Sequence, residues 1–281
     1  MNLVLMAGQG KRFLDAGYTQ SKPLIPVSGK PMIIRAVESM PAAQKWVFIV
    51  RPEHSIDEKE IMQTLASVSK DVTILVDPNP VGQLNSALVA REHLNTDEPV
   101  FIGACDFGMV YDRAKYAEAM SLQNPSQPDM LVWSFTRQPN LTRNPQAWGW
   151  LKVKPDNSIT GVSVKVPISD DPFNDYAIEG SFSFKSGKIF LEIADELMRR
   201  GIKVKNEFYI DSMIDVAIDM GRRVVSFPVE KYIGWGTPAD YEEYVWWEKA
   251  MKTPEQFPEA TAKPEYSFWS DYFLHDALKE A

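Results

Sequence analysis

Leu3-Val4-Leu5-Met6-Ala7-Gly8-Gln9-Gly10-Lys11-Arg12 opens the chain, and residues 22–33 follow as Lys-Pro-Leu-Ile-Pro-Val-Ser-Gly-Lys-Pro-Met-Ile. The apolar run Leu3 to Met6 reads as a buried strand that breaks into a loop with two glycines. Glycine lets a backbone turn tightly and approach a bound group, with peptide N–H donors aimed at it. Lys11 and Arg12 add positive charge there, and Lys22 follows at the end of the loop. Many N–H donors plus ammonium and guanidinium partners are what the phosphates of a nucleoside triphosphate require. Gly8 and Gly10 alone would equally suit an ordinary turn with solvated charges. Neither GxxxxGK[ST] nor a full GxGxxG is present, so neither of those phosphate sites is meant.

The longer stretch resembles the NDP-sugar pyrophosphorylases, nucleotidyltransferases that activate sugar phosphates. These open with a strand, Ala-Gly-x-Gly-x-Arg, a spacer, and then Lys-Pro-Leu-x-Pro and Lys-Pro-Met-Ile. Gly17-Tyr18 ahead of Lys22-Pro23 is similar to the branch associated with surface-polysaccharide biosynthesis. The resemblance implies a Rossmann-like (GT-A-type) three-layer α/β sandwich with a mixed, mostly parallel central sheet. A small β-hairpin insertion and a C-terminal helical extension complete the expected fold.

Composition agrees. The chain has 281 residues, enough for a substantial core, and 44% hydrophobic with 24% charged residues is ordinary for a soluble globular protein. A net charge of −8 with no long basic cluster argues against a nucleic-acid groove. The single cysteine excludes an intramolecular disulfide and suits a reducing cytoplasm. No signal peptide or long apolar run is visible, so neither export by that route nor a membrane span is expected.

Along the chain, residues 32–40 have helical spacing, 46–50 read as a continuous apolar strand, 55–68 as a helix and 72–76 as a strand. That alternation marks an α/β sheet. Gly82-Gln83 begins another helix, with donors for a polar edge. Val100 to Asp106 is an apolar strand ending in a carboxylate, and ligands of open α/β sheets sit beyond such ends. Cys105, with no base nearby, reads as a buried filler, and His54, His93 and His275 as surface residues without metal-ligand spacing. A helix over 112–122, a strand over 130–135, a polar loop over 137–145, a hairpin over 148–166 and a strand over 177–184 follow. A helix over 188–200 ends at Gly201, another spans 212–220, residues 223–229 form the last strand, and 239–251 the closing helix. Residues 168–176 are an acidic loop, read as either a lid or a solvated connection.

The resemblance assigns roles to particular residues. It places the nucleotide against Met6, Ala7, Gly8, Gly10 and Lys11, with the base at Gly82 and Gln83. Arg12, Lys22 and Asp106 are the implied catalytic residues, and Asp106 the implied Mg²⁺ ligand. Gly149, Lys165, Glu179 and Gly180 are the implied acceptor contacts. Two departures stand out. Val164 replaces the glutamate that often precedes the lysine, so the acceptor need not be an ordinary hexose phosphate. Gly234, in Gly-Trp-Gly-Thr-Pro, replaces the usual second metal carboxylate, leaving water, Asp211 or a substrate phosphate to substitute.

The resulting expectation is a catalytic domain over 1–250 and a helical, aromatic extension over 251–281 that packs on the body or on a second subunit of a homo-oligomer. Its partners are a nucleoside triphosphate and a small phosphorylated acceptor, with no nucleic acid and no membrane, and its reaction is of the EC 2.7.7 type. A glycosyltransferase and a non-catalytic nucleotide-binding subunit remain open as alternatives.

Overall fold

The computed structural model describes residues 1–56 and 59–280. β1 (Asn2–Leu5) leads through the glycine loop to the short helix α1 (Lys11–Asp15). The two-residue strands β2 (Pro26–Val27) and β3 (Lys30–Pro31) precede α2 (Met32–Ser39). β4 (Lys45–Val50), α3 (Pro52–Ile56), α4 (Lys59–Ala66) and β5 (Asp71–Val76) continue the alternation. Next come α5 (Gln83–Leu88), α6 (Arg91–Leu94), β6 (Val100–Ala104) and β7 (Phe107–Val110). α7 (Arg113–Ala119), β8 (Met130–Phe135) and α8 (Asn140–Arg143) lead to the hairpin of β9 (Gly149–Val153) and β10 (Ile159–Val164). The chain ends with β11 (Tyr176–Phe184), α9 (Gly187–Arg200), α10 (Met213–Asp219), β12 (Val224–Pro228), β13 (Lys231–Gly234), α11 (Pro238–Lys252) and α12 (Tyr266–Glu280).

The central sheet is mixed, with nine strands. β5, β4, β1 and β6 lie side by side and parallel, built from runs such as Val47-Phe48-Ile49-Val50 that are buried on both faces. β11 runs against its neighbours β6, β8 and β9, and β10 turns back against β9, so these two oppose the common direction. One apolar cluster joins one sheet face to α2, α11 and α12, and a second joins the other face to α5, α9 and α10. This is the expected three-layer sandwich.

Two topological details place the site. β1 has β4 on one side and β6 on the other, so the chain reverses its direction of progress across the sheet there. The carboxyl ends of β1 and β6 flank a switch point, where open α/β sheets bind ligands. Secondly, one edge of β11 is shared. Phe182 to Phe184 pair with β6, whereas Tyr176 and Ala177 pair with β9. A register shift between Ile178 and Phe182 marks the changeover, and Gly180 takes φ +115 there.

Several sequence expectations are corrected. Residues 223–229 do not hold the last strand, because β13 follows and pairs with β7 in a separate two-stranded ribbon. The helix expected over 55–68 begins earlier, at Pro52, and α4 ends at Ala66, while residues 57 and 58 lie outside the described residues. The polar loop contains α8. The aromatic extension packs on the body: Trp269 and Tyr272 are buried, with ring centroids 6.0 and 6.2 Å from Tyr244 of α11. No helix among the described residues is long and apolar enough to cross a membrane.

Candidate active site

Met6 and Ala7 are buried, and the Met6 N–H donates to Ile49 O at 3.0 Å, so the chain leaves the sheet at Gly8. Gly10 has φ +63, where a side chain would be strained, and its carbonyl accepts from the N–H groups of Phe13 and Leu14. Phe13 is buried and packs edge-on to Tyr18 and to Tyr241 of α11. That anchor leaves Lys11 and Arg12 exposed on the first turn of α1. On the other side, Arg51 Nη1 donates to Gln9 O at 3.0 Å, bracing the loop from the end of β4.

Lys22 returns to this loop and meets Asp106. Its Nζ lies 2.5 Å from Asp106 Oδ2, both side chains being mostly covered. Burial pulls the Lys22 ammonium down, but Asp106 and Cys105 more than reverse this and leave it above its ordinary value. The pair thus keeps Lys22 charged at a place where a bare ammonium would be destabilised. Asp106 sits in the turn between β6 and β7. Its carbonyl accepts from Trp235 N–H at 2.8 Å, and a Cβ on Gly236 would come within 3.0 Å of Asp106 Oδ2. Cys105 is buried, and burial first, then Asp106, push its thiol up to about 12. It holds no thiolate at neutral pH, in keeping with a filler.

Glu179 is only 3% exposed. Its Oε2 accepts from Ser181 N–H at 2.8 Å, whereas Oε1 has no partner among the described residues. Burial pushes its carboxyl up to about 8, with a smaller push from Asp106 and an opposing pull from the Ser181 hydrogen bonds. Beside it, Gly180 faces Phe107, whose ring would be 3.2 Å from an added Cβ.

Across the switch point, Lys165 takes φ +64, which is unusual for lysine. Its N–H donates to Trp148 O at 3.0 Å and its Nζ to Ala147 O, which tie it to the start of β9. Burial lowers its pKa, Asp211 opposes the shift, and Lys205 and Arg12 add to it. Asp211 is buried, its pKa raised by burial and drawn back by Lys165. An added Cβ on Gly149 would lie 2.6 Å from Asp211 Oδ2, so a side chain at 149 would collide with that carboxylate. Gly82 (φ +89) packs against Glu207 and Phe208, and Leu84 N–H donates to Phe208 O at 3.2 Å. Gln83 begins α5 on this support.

Gly234 has a specific neighbour. A Cβ there would meet the Tyr232 ring at 3.0 Å and its hydroxyl at 3.1 Å. Tyr232 is stacked on Phe135 at 4.8 Å and edge-on to Trp148 at 5.4 Å. A phenol therefore fills the space that a carboxylate at 234 would need. Sequence reasoning missed Tyr232, although residues two apart on a strand share a face and Gly234 was already flagged. It also missed Arg51 and misjudged His54, which is buried and lies 3.5 Å from Ser21 Oγ. Burial, then Arg51, pull the His54 imidazole down to about 4.

Among the described residues no three His, Cys, Asp or Glu side chains gather into a metal cage. Mg²⁺ does not need one, since it keeps several waters and takes one or two carboxylates plus substrate phosphates. Asp106, with a quarter of its side chain exposed, fits that role.

By fold, the chain is an α/β protein of nucleotidyltransferase architecture. It superposes on a nucleoside-diphosphate-sugar pyrophosphorylase from Vibrio cholerae RC9 with a TM-score of 0.69, at 19% identity over 88% of this chain and 100% of that one. Residues 2–149, more than half of the chain, match the MobA-like NTP transferase domain, and the chain belongs to that family. It is also similar to the bifunctional protein GlmU of Sinorhizobium fredii, at 22% identity over 99% of this chain and 59% of the relative. A low-salt glycan biosynthesis nucleotidyltransferase, Agl11, of Haloferax volcanii is 23% identical over 86% of this chain and 64% of the relative. The chain thus spans about 59–64% of the length of these curated relatives.

Proposed function

We propose that the protein is a nucleotidyltransferase that joins a nucleoside triphosphate to a small phosphorylated acceptor and releases pyrophosphate. The observation that carries this reading is the Lys22–Asp106 pair beside the glycine loop, at the carboxyl end of β6 next to β1. In the reaction an acceptor phosphate oxygen attacks the α-phosphorus. One phosphorus–oxygen bond forms, the α–β bridging bond breaks, and pyrophosphate departs with the electron pair.

Such transfer needs positioning and charge neutralisation more than covalent help. Two unit charges 4 Å apart repel by about 4 kcal/mol at an effective dielectric near 20, so cations must stand between acceptor and triphosphate. Gly8, Gly10 and Lys11 receive the phosphates and Gly82 with Gln83 the base. Lys22 meets the α-phosphate, Arg12 the departing pyrophosphate, and Lys165 the acceptor phosphate, while Gly149 and Gly180 let Asp211 and Phe107 pack against the backbone of the acceptor side. Asp106 would hold a Mg²⁺ that arrives with the triphosphate, and the ion would supply further charge neutralisation at the phosphate oxygens. Asp211 offsets the charge of Lys165 and is the candidate for a second carboxylate beside Asp106.

Residues 1–250 form the catalytic domain in this reading, and 251–281 a supporting extension. The name of the Haloferax volcanii relative places that protein in glycan biosynthesis, and we extend the setting to an activated precursor for a surface polysaccharide. Pyrophosphate release from CTP, UTP, GTP, ATP or dTTP with Mg²⁺ and a phosphorylated acceptor tests the reading. Release that is abolished by EDTA is expected. A triphosphate that binds without turnover for any acceptor would instead indicate a nucleotide-binding subunit.

A further inference from the structure

The two segments that carry the cations of the nucleotide half cannot hold themselves in place. α1 has only five residues, far below the roughly 12–15 at which an isolated helix becomes stable. Gly10 at its N-cap can offer no side-chain cap. The segment from Lys22 to Pro31 contains one short helical turn, Lys22–Leu24, and the two-residue strands β2 and β3. In that ribbon Pro26 faces Pro31, and a proline has no N–H to give to the opposite carbonyl.

Tyr241, near the start of α11, touches both segments. Its ring stands edge-on to Phe13 at 6.3 Å and to Tyr18 at 5.9 Å, and those two rings stand edge-on to each other at 5.1 Å. Its hydroxyl donates to Pro26 O at 2.8 Å, supplying the donor that Pro31 lacks. Tyr241 is itself well seated. The Thr237 hydroxyl caps α11 by accepting from Asp240 N–H at 3.2 Å. Trp235, two residues before that cap, donates its N–H to Asp106 O at 2.8 Å. The start of α11 is therefore a common footing for the segments that bear Arg12, Lys22 and Asp106.

We propose that Tyr241 is a positioning residue for the triphosphate. With its ring on Phe13 and its hydroxyl on Pro26 it fixes the spacing between the Arg12 turn and the Lys22 segment. Charge-assisted hydrogen bonds to phosphate need their donors held within about 0.5 Å of the productive place, so loosening either contact weakens the grip on the nucleotide. This inference rests on the nucleotidyl-transfer reading.

The test is equilibrium binding of CTP, UTP, GTP, ATP and dTTP with Mg²⁺ by isothermal titration, continued with whichever binds the wild type most tightly. Tyr241→Leu should raise the Kd of that triphosphate about tenfold or more. Tyr241→Phe keeps the ring and loses the bond to Pro26, and should give a rise of about two- to fivefold. Trp247→Leu is the control, because it removes a buried ring of the same helix that stacks on Trp269 at 6.2 Å. It should lower Tm at least as far as Tyr241→Leu and leave Kd within about twofold of the wild type. A merely structural role for Tyr241 would lower Tm and the titrated stoichiometry, while the protein still folded bound with unchanged Kd. That result would overturn the proposal, and so would a Kd raised equally by Trp247→Leu. Should Tyr241→Leu not fold, Tyr241→Phe decides, and a wild-type Kd in it overturns the proposal. A wild-type protein that binds none of the five triphosphates would instead count against the nucleotidyl-transfer reading, and the inference would fall with it.

Discussion

The two halves of the proposed site are built on different principles. The nucleotide half is backbone at the end of a parallel strand, stiffened from outside by Phe13 against Tyr18 and Tyr241 and by Arg51 on Gln9. Lys11 and Arg12 stay exposed on that frame, while Lys22 is mostly covered by its pairing with Asp106. The acceptor half depends on side chains held in uncommon states: Lys165 at positive φ, Glu179 sealed in apolar surroundings, and Tyr232 seated over a glycine. The first half is a surface made ready for any triphosphate. The second is a fitted volume in which each residue's position depends on its neighbours, and specificity belongs there.

If that division is right, substitutions should separate cleanly. The largest effect is expected from Asp106→Asn, which removes the charge that holds Lys22 and that we propose anchors Mg²⁺. Turnover should fall by about a hundredfold or more, in the range found for lost electrostatic partners. Circular dichroism should show the fold intact, and near-normal turnover would remove Asp106 from the mechanism. Arg12→Lys comes next. It keeps the charge and loses the planar fork, so kcat should drop about tenfold with little change in acceptor KM. Lys165→Ala should do the reverse, raising acceptor KM about tenfold while the triphosphate's KM moves less than twofold. Equal changes in both would erase the distinction between the halves.

Gly234→Asp probes the fitted volume directly. A new side chain meets Tyr232 at 3.0 Å, and overpacking of this kind costs about 1–3 kcal/mol. Tm should therefore fall without tighter Mg²⁺ binding in isothermal titration. In a Tyr232→Ala background, which gives the carboxylate the vacated space, the same Gly234→Asp change should lower Tm less than it does in the wild type.

The smallest effect is a contrast in pH dependence. His54, with a native pKa near 4 against about 6.5 unfolded, contributes stability that is present above about pH 6.5 and lost as pH falls towards 4. Glu179, raised to about 8, contributes stability present below its unfolded value near 4.5 and lost as pH rises through 8. His54→Gln should flatten the acid limb of Tm against pH, and Glu179→Gln the alkaline limb. Unchanged limbs would mean that other groups dominate.

What the sequence made legible follows the same line. The glycine loop, Lys22 and Asp106 are local patterns, each a few residues at the end of an apolar strand, and local patterns survive without knowledge of the fold. β13 was not legible because Lys231 to Gly234 is only four residues long and runs into the Gly-Trp-Gly-Thr-Pro motif, so that its pairing with β7 is what defines it. The burial of His54 and the seat of Tyr232 beside Gly234 are tertiary facts, produced by segments far apart in the chain. Glu179 was read as a hydrogen-bond acceptor for the substrate because its strand position was clear, but its enclosure was not. The extension's aromatic residues announced a need for burial, and the structure supplied the partner, Tyr244.

The divided edge of β11 has an engineering consequence. The β9–β10 hairpin meets β11 through Tyr176 and Ala177 alone, while β6 holds Phe182 to Phe184 and β8 runs along the opposite edge. The stretch from 136 to 175 is thus a cassette, entering and leaving the sheet near one corner. Because it carries Lys165 while the glycine loop, Lys22 and Asp106 lie outside it, exchange of this cassette is expected to alter the proposed acceptor side more than the triphosphate side. A chimaera that carries a relative's cassette should accordingly change what it activates and keep the base it prefers.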